Sequence, residues 1–120
     1  MQADAGARLV ALADIPEGSA CEATAVVDGV AESVILVRAG DAAKAWLNVC
    51  PHAGRRLDWS PGNFLIDQGR LVCAAHGASF ERMTGLCVGG PCRGSSLREV
   101  PVSVDAGWVV LVEQGAGSRE

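Results

Sequence analysis

Tyrosine is absent from this chain, and Trp, Phe and Tyr together make up only 4% of it. A protein so poor in aromatic rings has few platforms on which nucleic-acid bases could stack. Positive charge is scarce as well: ten Lys plus Arg stand against fourteen Asp plus Glu, a net charge of −4. Binding to phosphate backbones needs clustered cations that displace counterions, so no nucleic-acid partner is expected. Long apolar runs are also missing. The best, Val34-Ile35-Leu36-Val37, ends at Arg38, far short of the roughly eighteen residues of a membrane span. Asp4 without a basic cluster, and Asp14 after Leu9-Val10-Ala11-Leu12-Ala13, do not make a signal peptide. No membrane partner is expected, and the expected location is the cytoplasm.

What is present is a folded-protein composition: 120 residues, 49% hydrophobic and 20% charged. That length suits one domain with one real core. Five cysteines are many for such a chain, and an odd number cannot close into a complete disulfide set. Where thiols stay reduced, a surplus of cysteine points to metal or redox chemistry.

Fifteen Gly and five Pro punctuate the sequence, and no window of about twelve residues holds a 3.6-residue apolar period. The expected class is therefore all-β with long loops. Strands are expected at residues 8–11, 21–28, 33–37, 44–49, 64–66, 71–73, 79–82, 97–104 and 108–113. Val100, Val102 and Val104 alternate with Pro101 and Ser103, predicting one buried face and one wet face. Asp67-Gln68-Gly69 and Asp105-Ala106-Gly107 read as hairpin turns. Residues 51–62 and 85–96 fit no element. Long structureless loops in a small domain are usually functional, and both lie beside cysteines.

The chemistry is concentrated in Cys50-Pro51-His52 and Cys73-Ala74-Ala75-His76, which contain both histidines of the protein. The pattern is C-x-H, then twenty residues, then C-x2-H. Each segment offers one thiolate and one imidazole from a single tight loop. A tetrahedral zinc site accepts two Cys and two His, but zinc modules usually segregate them, with cysteines on one element and histidines on another. Mixing the two ligand types in each loop suits a dinuclear cluster, in which one iron takes both thiolates and the other both imidazoles.

These two segments resemble the Rieske iron–sulfur signature, and their surroundings resemble the Rieske-type 2Fe-2S ferredoxins of bacterial aromatic-ring dioxygenase systems. Leu12-Ala13-Asp14-Ile15-Pro16-Glu17-Gly18 is similar to the family's opening strand and turn. Asn48-Val49-Cys50-Pro51-His52 and His76-Gly77 resemble its ligand loops. Thr84-Gly85, followed by Gly90-Pro91, resembles the segment before its last two strands. The resemblance covers residues 8–113 and implies the Rieske fold of antiparallel sheets across a single domain, 1–120. It implies a cluster-binding subdomain at about 47–88, and a frayed tail is expected at 114–120.

By the same resemblance, Cys50 and Cys73 would hold one iron of a 2Fe-2S cluster, and His52 and His76 the other. Gly89, Gly90 and Pro91 would form the loop that covers the cluster. The implied role is a one-electron carrier between a reductase and a terminal oxygenase or other redox protein, docking near the histidines, monomeric and not itself an enzyme. Two alternatives stand beside it: the Rieske-like small subunit of a nitrite-reductase-type enzyme, and a cluster-based redox or iron sensor. Many such small subunits lack the ligands that are intact here. The sensor draws only on Cys87 and Cys92.

Two departures from the family pattern stand out. The spacing of twenty residues between ligand pairs is longer than usual, with 58–63 as the extra length, expected to sit away from both ligand loops. The bracing disulfide of respiratory Rieske proteins cannot form, because Arg55 and Ala75 occupy its positions. High-potential members also carry Ser and Tyr hydroxyls after the second histidine, where this chain has Ala78 and Phe80. Fewer hydroxyls imply a low potential. Cys21, Cys87 and Cys92 read as ordinary packed thiols, with an oxidation-sensitive Cys87–Cys92 pair as the other reading. Trp46, Trp59 and Trp108 read as core or hydrophobic shell, and Arg55 and Arg56 as a solvated loop face or a docking site.

Overall fold

Period-two alternation resolves into three antiparallel sheets in a computed structural model that describes residues 7–51, 54, 56–74, 77–90 and 94–112. The strands are β1 (Arg8–Ala11), β2 (Ala20–Val27), β3 (Val30–Ala39), β4 (Ala42–Leu47), β5 (Leu65–Asp67), β6 (Arg70–Val72), β7 (Ser79–Glu81), β8 (Cys87–Gly89), β9 (Val102–Asp105) and β10 (Trp108–Leu111). Their orders are β1-β10-β9, β2-β3-β4 and β5-β6-β7-β8. The helical content of the described residues is a single 3-10 turn, Leu12–Asp14. The all-β class of antiparallel sheets expected from sequence is what is observed.

The central strand β3 explains how two cores fit into one small domain. Val34, Ile35, Leu36 and Val37 are all fully buried, so this strand is covered on both faces. Val34 and Leu36 point into a base core with Ile15, Ala25, Val27, Ala45, Val100, Val109 and Leu111. Ile35 and Val37 point the other way, into a cluster containing Trp46, Cys50, Leu57, Leu71, Cys73, Ala78, Phe80, Cys87 and Leu97. Both cysteines of the signature thus lie on one side of one strand.

Both expected hairpin turns form. Gln68 (φ 53°) and Gly69 (φ 78°) join β5 to β6, while Ala106 (φ 51°) and Gly107 (φ 85°) join β9 to β10. Two successive residues at positive φ give the turn whose twist matches the flanking strands. Trp46 pins the third sheet to the second: its indole Nε1 donates to the Arg82 carbonyl at 2.7 Å, from β4 to the turn after β7.

Several expectations fail for physical reasons. The single strand expected over 97–104 is broken because its backbone pairs with two different sheets. Leu97 N–H reaches the Gly85 carbonyl at 2.8 Å, whereas Val100 N–H reaches Ala45 at 2.9 Å, so no continuous ladder forms until β9. Val104, expected on the buried face, is 38% exposed because β9 is an edge strand. β8 was not expected, because three residues ending in glycine carry no readable period. Trp59 does not join the core: it is 61% exposed on the segment after the first ligand loop. Trp108 is half-buried on β10, with the Arg8 guanidinium 5.0 Å from its ring centroid. The tail 114–120 lies outside the described residues.

Candidate metal centre

Each ligand loop runs from a buried cysteine to a glycine four residues on, whose N–H bonds back to the cysteine carbonyl. The Gly54 N–H donates to the Cys50 carbonyl at 2.8 Å, and the Gly77 N–H to the Cys73 carbonyl at 2.7 Å. Both glycines sit at positive φ, 69° and 76°, a backbone that side chains with a Cβ resist. The sequences CPHAG and CAAHG therefore share a C-x-x-x-G frame that fixes the turn, with the histidine free to occupy its third or fourth position. That shared frame was legible in the sequence and went unused.

Cys50 and Cys73 are both fully buried, in one cluster with Leu57, Leu71, Ala78 and Phe80. His52 and His76 lie outside the described residues, as do Arg55, Ala75, Pro91 and Cys92. Gly90 marks a close approach over the second loop. At φ 92°, a Cβ built there would stand 2.8 Å from the Ala78 Cα and 3.3 Å from its nitrogen. A strand end that passes this close to a ligand loop can only be glycine.

Polar groups behind the first loop form one connected network. Arg56 donates through Nη2 to Glu22 Oε2 (2.8 Å) and to Asp58 Oδ2 (2.7 Å), and through Nε to Asp58 Oδ1 (3.0 Å). The Gly62 N–H and the Ser33 hydroxyl also donate, to Asp58 (3.0 Å) and Glu22 (2.6 Å). Hydrogen bonds from Ser33 and Arg56 hold the Glu22 carboxyl below its ordinary pKa. Burial alone would raise the Asp58 carboxyl, but hydrogen bonds from Arg56, Gly62 and Asn48, with the nearby guanidinium charge, outweigh it and lower it. The same two carboxylates hold the Arg56 guanidinium more firmly protonated.

Residues 58–63 are tied into this network. The extra length is anchored through Asp58, whose side chain is 1% exposed, to the arginine that follows the first loop. Arg56 is accordingly an ion-pair residue. Two further thiols, Cys21 and Cys87, lie among the described residues. Burial, with a contribution from Asp14, pushes the Cys21 thiol up, which opposes the thiolate form a ligand needs. Cys87 is buried, with its Sγ 3.2 Å from the Gly89 carbonyl.

Two buried thiols at the heads of matched turns, each turn carrying a histidine in its sequence, are the donor set of a β-sheet iron–sulfur domain, and the residues present fit that group. The chain belongs to the Rieske [2Fe-2S] domain family, whose sequence model matches residues 8–106. It is a domain of the type that binds one 2Fe-2S cluster through two Cys and two His. The chain is similar to the ferredoxin of carbazole 1,9a-dioxygenase from Nocardioides aromaticivorans IC177, with 28% identity, TM-score 0.70, and 91% of this chain and 98% of that one covered. It has the fold of a chain in the complex of reduced oxygenase and oxidized ferredoxin of carbazole 1,9a-dioxygenase, with 24% identity, TM-score 0.68, and 88% and 91% covered. It also has the fold of a protein described as a nitrite reductase (NADPH) small subunit, with 22% identity, TM-score 0.59, and 88% and 96% covered. No curated protein matches the chain.

Proposed function

We propose that this protein is a low-potential one-electron carrier that takes electrons from a reductase and passes them to a terminal oxygenase or a similar redox partner. Cys50 and Cys73 hold one iron, His52 and His76 the other, and Gly89, Gly90 and Pro91 form the cover. The bound cluster supplies a site that accepts and releases one electron. The chain's own residues keep water from the sulfur side by burying Cys50 and Cys73 among Leu57, Leu71, Ala78 and Phe80. The observation that carries the reading is the likeness to a dioxygenase ferredoxin over 98% of that ferredoxin's length, at a higher TM-score than to the nitrite reductase subunit.

Docking near the histidine loops, the monomeric state and a cytoplasmic location belong to the same proposal. Among the described residues no helix is long and apolar enough to cross a membrane. A role as the small subunit of a nitrite-reductase-type enzyme is the second reading, favoured only by that one structural likeness. Stopped-flow mixing of the reduced protein with a Rieske oxygenase and with a sirohaem nitrite reductase separates the two. Rapid reoxidation by the oxygenase supports the carrier; a stable stoichiometric complex with the reductase alone overturns it.

A further inference from the structure

The two ligand loops are clasped differently. The second joins β6 to β7, neighbours in a sheet, so backbone closes it: the Cys73 N–H donates to the Ala78 carbonyl at 2.7 Å. The first has β4 before it and irregular chain after it, and among the described residues no ladder spans it. Its clasp is a side chain. Asn48 Oδ1 accepts the Leu57 N–H at 2.8 Å, nine residues along. Asn48 is 2% exposed, the one buried polar residue among the described core. Its Nδ2 donates to Ser33 Oγ on β3 at 3.1 Å, and its amide helps hold the Asp58 carboxyl below its ordinary pKa.

Leu57 then reaches the second loop with its other backbone group: its carbonyl accepts the Ala74 N–H at 3.0 Å. A continuous path therefore runs from β3 through the Asn48 amide and the Leu57 backbone to the residue after Cys73. We propose that Asn48 is a positioning residue for the iron–sulfur centre, closing the first ligand loop and setting the second against it through Leu57. This rests on the ligand assignment above and not on the carrier role. If that assignment is wrong, His52→Ala keeps the centre whatever Asn48 does.

The test compares the purified, cluster-loaded protein with Asn48→Leu, Asn48→Asp, the exchanged pair Asn48→Asp/Asp58→Asn, and Val109→Ala. Two readouts are followed, the lifetime of the visible absorption under excess chelator and the g values of the reduced protein. Val109 is fully buried in the base core, so its truncation lowers the melting temperature without touching either ligand loop. Asn48→Leu is expected to shorten the cluster lifetime at least about tenfold, the effect typical of losing a group that orients a metal ligand. It should also shift the g values. Val109→Ala should do neither. Asn48→Asp keeps an acceptor for Leu57 but sets two carboxylates together and should be labile, whereas the exchanged pair keeps that acceptor without the repulsion and should outlast Asn48→Asp, even though it weakens the Arg56 pair. A cluster lifetime that merely follows melting temperature across the set overturns the proposal. Should Asn48→Leu fail to fold, equal lability of Asn48→Asp and the exchanged pair overturns it instead.

Discussion

The sheet formed by β2, β3 and β4 has strands of eight, ten and six residues, while every strand of the β5–β8 sheet has three. The buried residues of the base core are all aliphatic, with Cys21 only packed against its edge, whereas the other cluster buries the thiols of Cys50, Cys73 and Cys87. Each aliphatic side chain fully buried contributes roughly 1.5–3 kcal/mol, so the base carries its own stability. The short-stranded sheet has less ladder and a core interrupted by ligand atoms. Metal binding and folding are coupled where ligands form the core, so the cluster side is expected to depend on its cofactor more than the base does.

The sharpest way to break that contrast is to remove the metal. Chelation of the reduced protein should expose the amides of β5 to β8 to hydrogen exchange while those of β2 to β4 stay protected. Uniform loss of protection across both sheets would show that the two regions are one unit. His52→Ala or His76→Ala should likewise abolish the intact centre, by iron and sulfide count and by EPR, because each removes half of one iron's protein ligands. Cys21→Ser should leave the centre in place.

Next in size is Gly90→Ala on the cluster side against Gly107→Ala on the base. Both place alanine at positive φ, but only at Gly90 does the new Cβ meet backbone, 2.8 Å from the Ala78 Cα. The expected losses are about 2 kcal/mol or more at Gly90 and about 1 kcal/mol at Gly107, read from urea midpoints. Equal losses would remove the close approach from the argument.

Acid acts at the joint between the regions. Because Glu22 and Asp58 are held below their ordinary pKa values, their stabilisation is complete above the unfolded carboxylate range. It is lost as pH falls below about 4, towards the lower folded values. Glu22→Gln/Asp58→Asn should lower stability at neutral pH and flatten the fall on acidification, followed by far-UV circular dichroism in urea. A fall as steep as the native one would mean that other carboxyls govern it.

The smallest effect concerns the potential. Rieske centres span about −150 to +300 mV, tuned partly by hydrogen bonds to the sulfurs. Ala78 and Phe80 are both fully buried and bring no hydroxyl, so a value near the low end is expected. Ala78→Ser or Phe80→Tyr should raise it by roughly 40 mV each, the equivalent of about 1 kcal/mol per hydrogen bond for one electron. Protein-film voltammetry reads this directly, and a native value well above zero would contradict it.

Strand positions in the base were legible because long runs such as Val34 to Val37 and paired turn residues give a strong local signal. The Rieske family was legible because its signature restricts residue type and spacing tightly. The strand β8 and the broken 97–104 segment were not, since three residues carry no period and Pro101 sits in backbone shared between two sheets. Trp59 was misplaced because hydrophobicity says nothing of which side of a loop faces water.

The sequence by itself determined the all-β class, the candidate ligand residues and the family to which they point, since these depend on residue type and near spacing. Only the tertiary structure decided that β3 separates two cores, that Asp58 fastens the extra loop, and that Asn48 reaches Leu57 while Leu57 reaches Ala74. Those are contacts between groups brought together by chain folding. Their strength comes from burial and hydrogen-bond geometry, which local sequence does not encode.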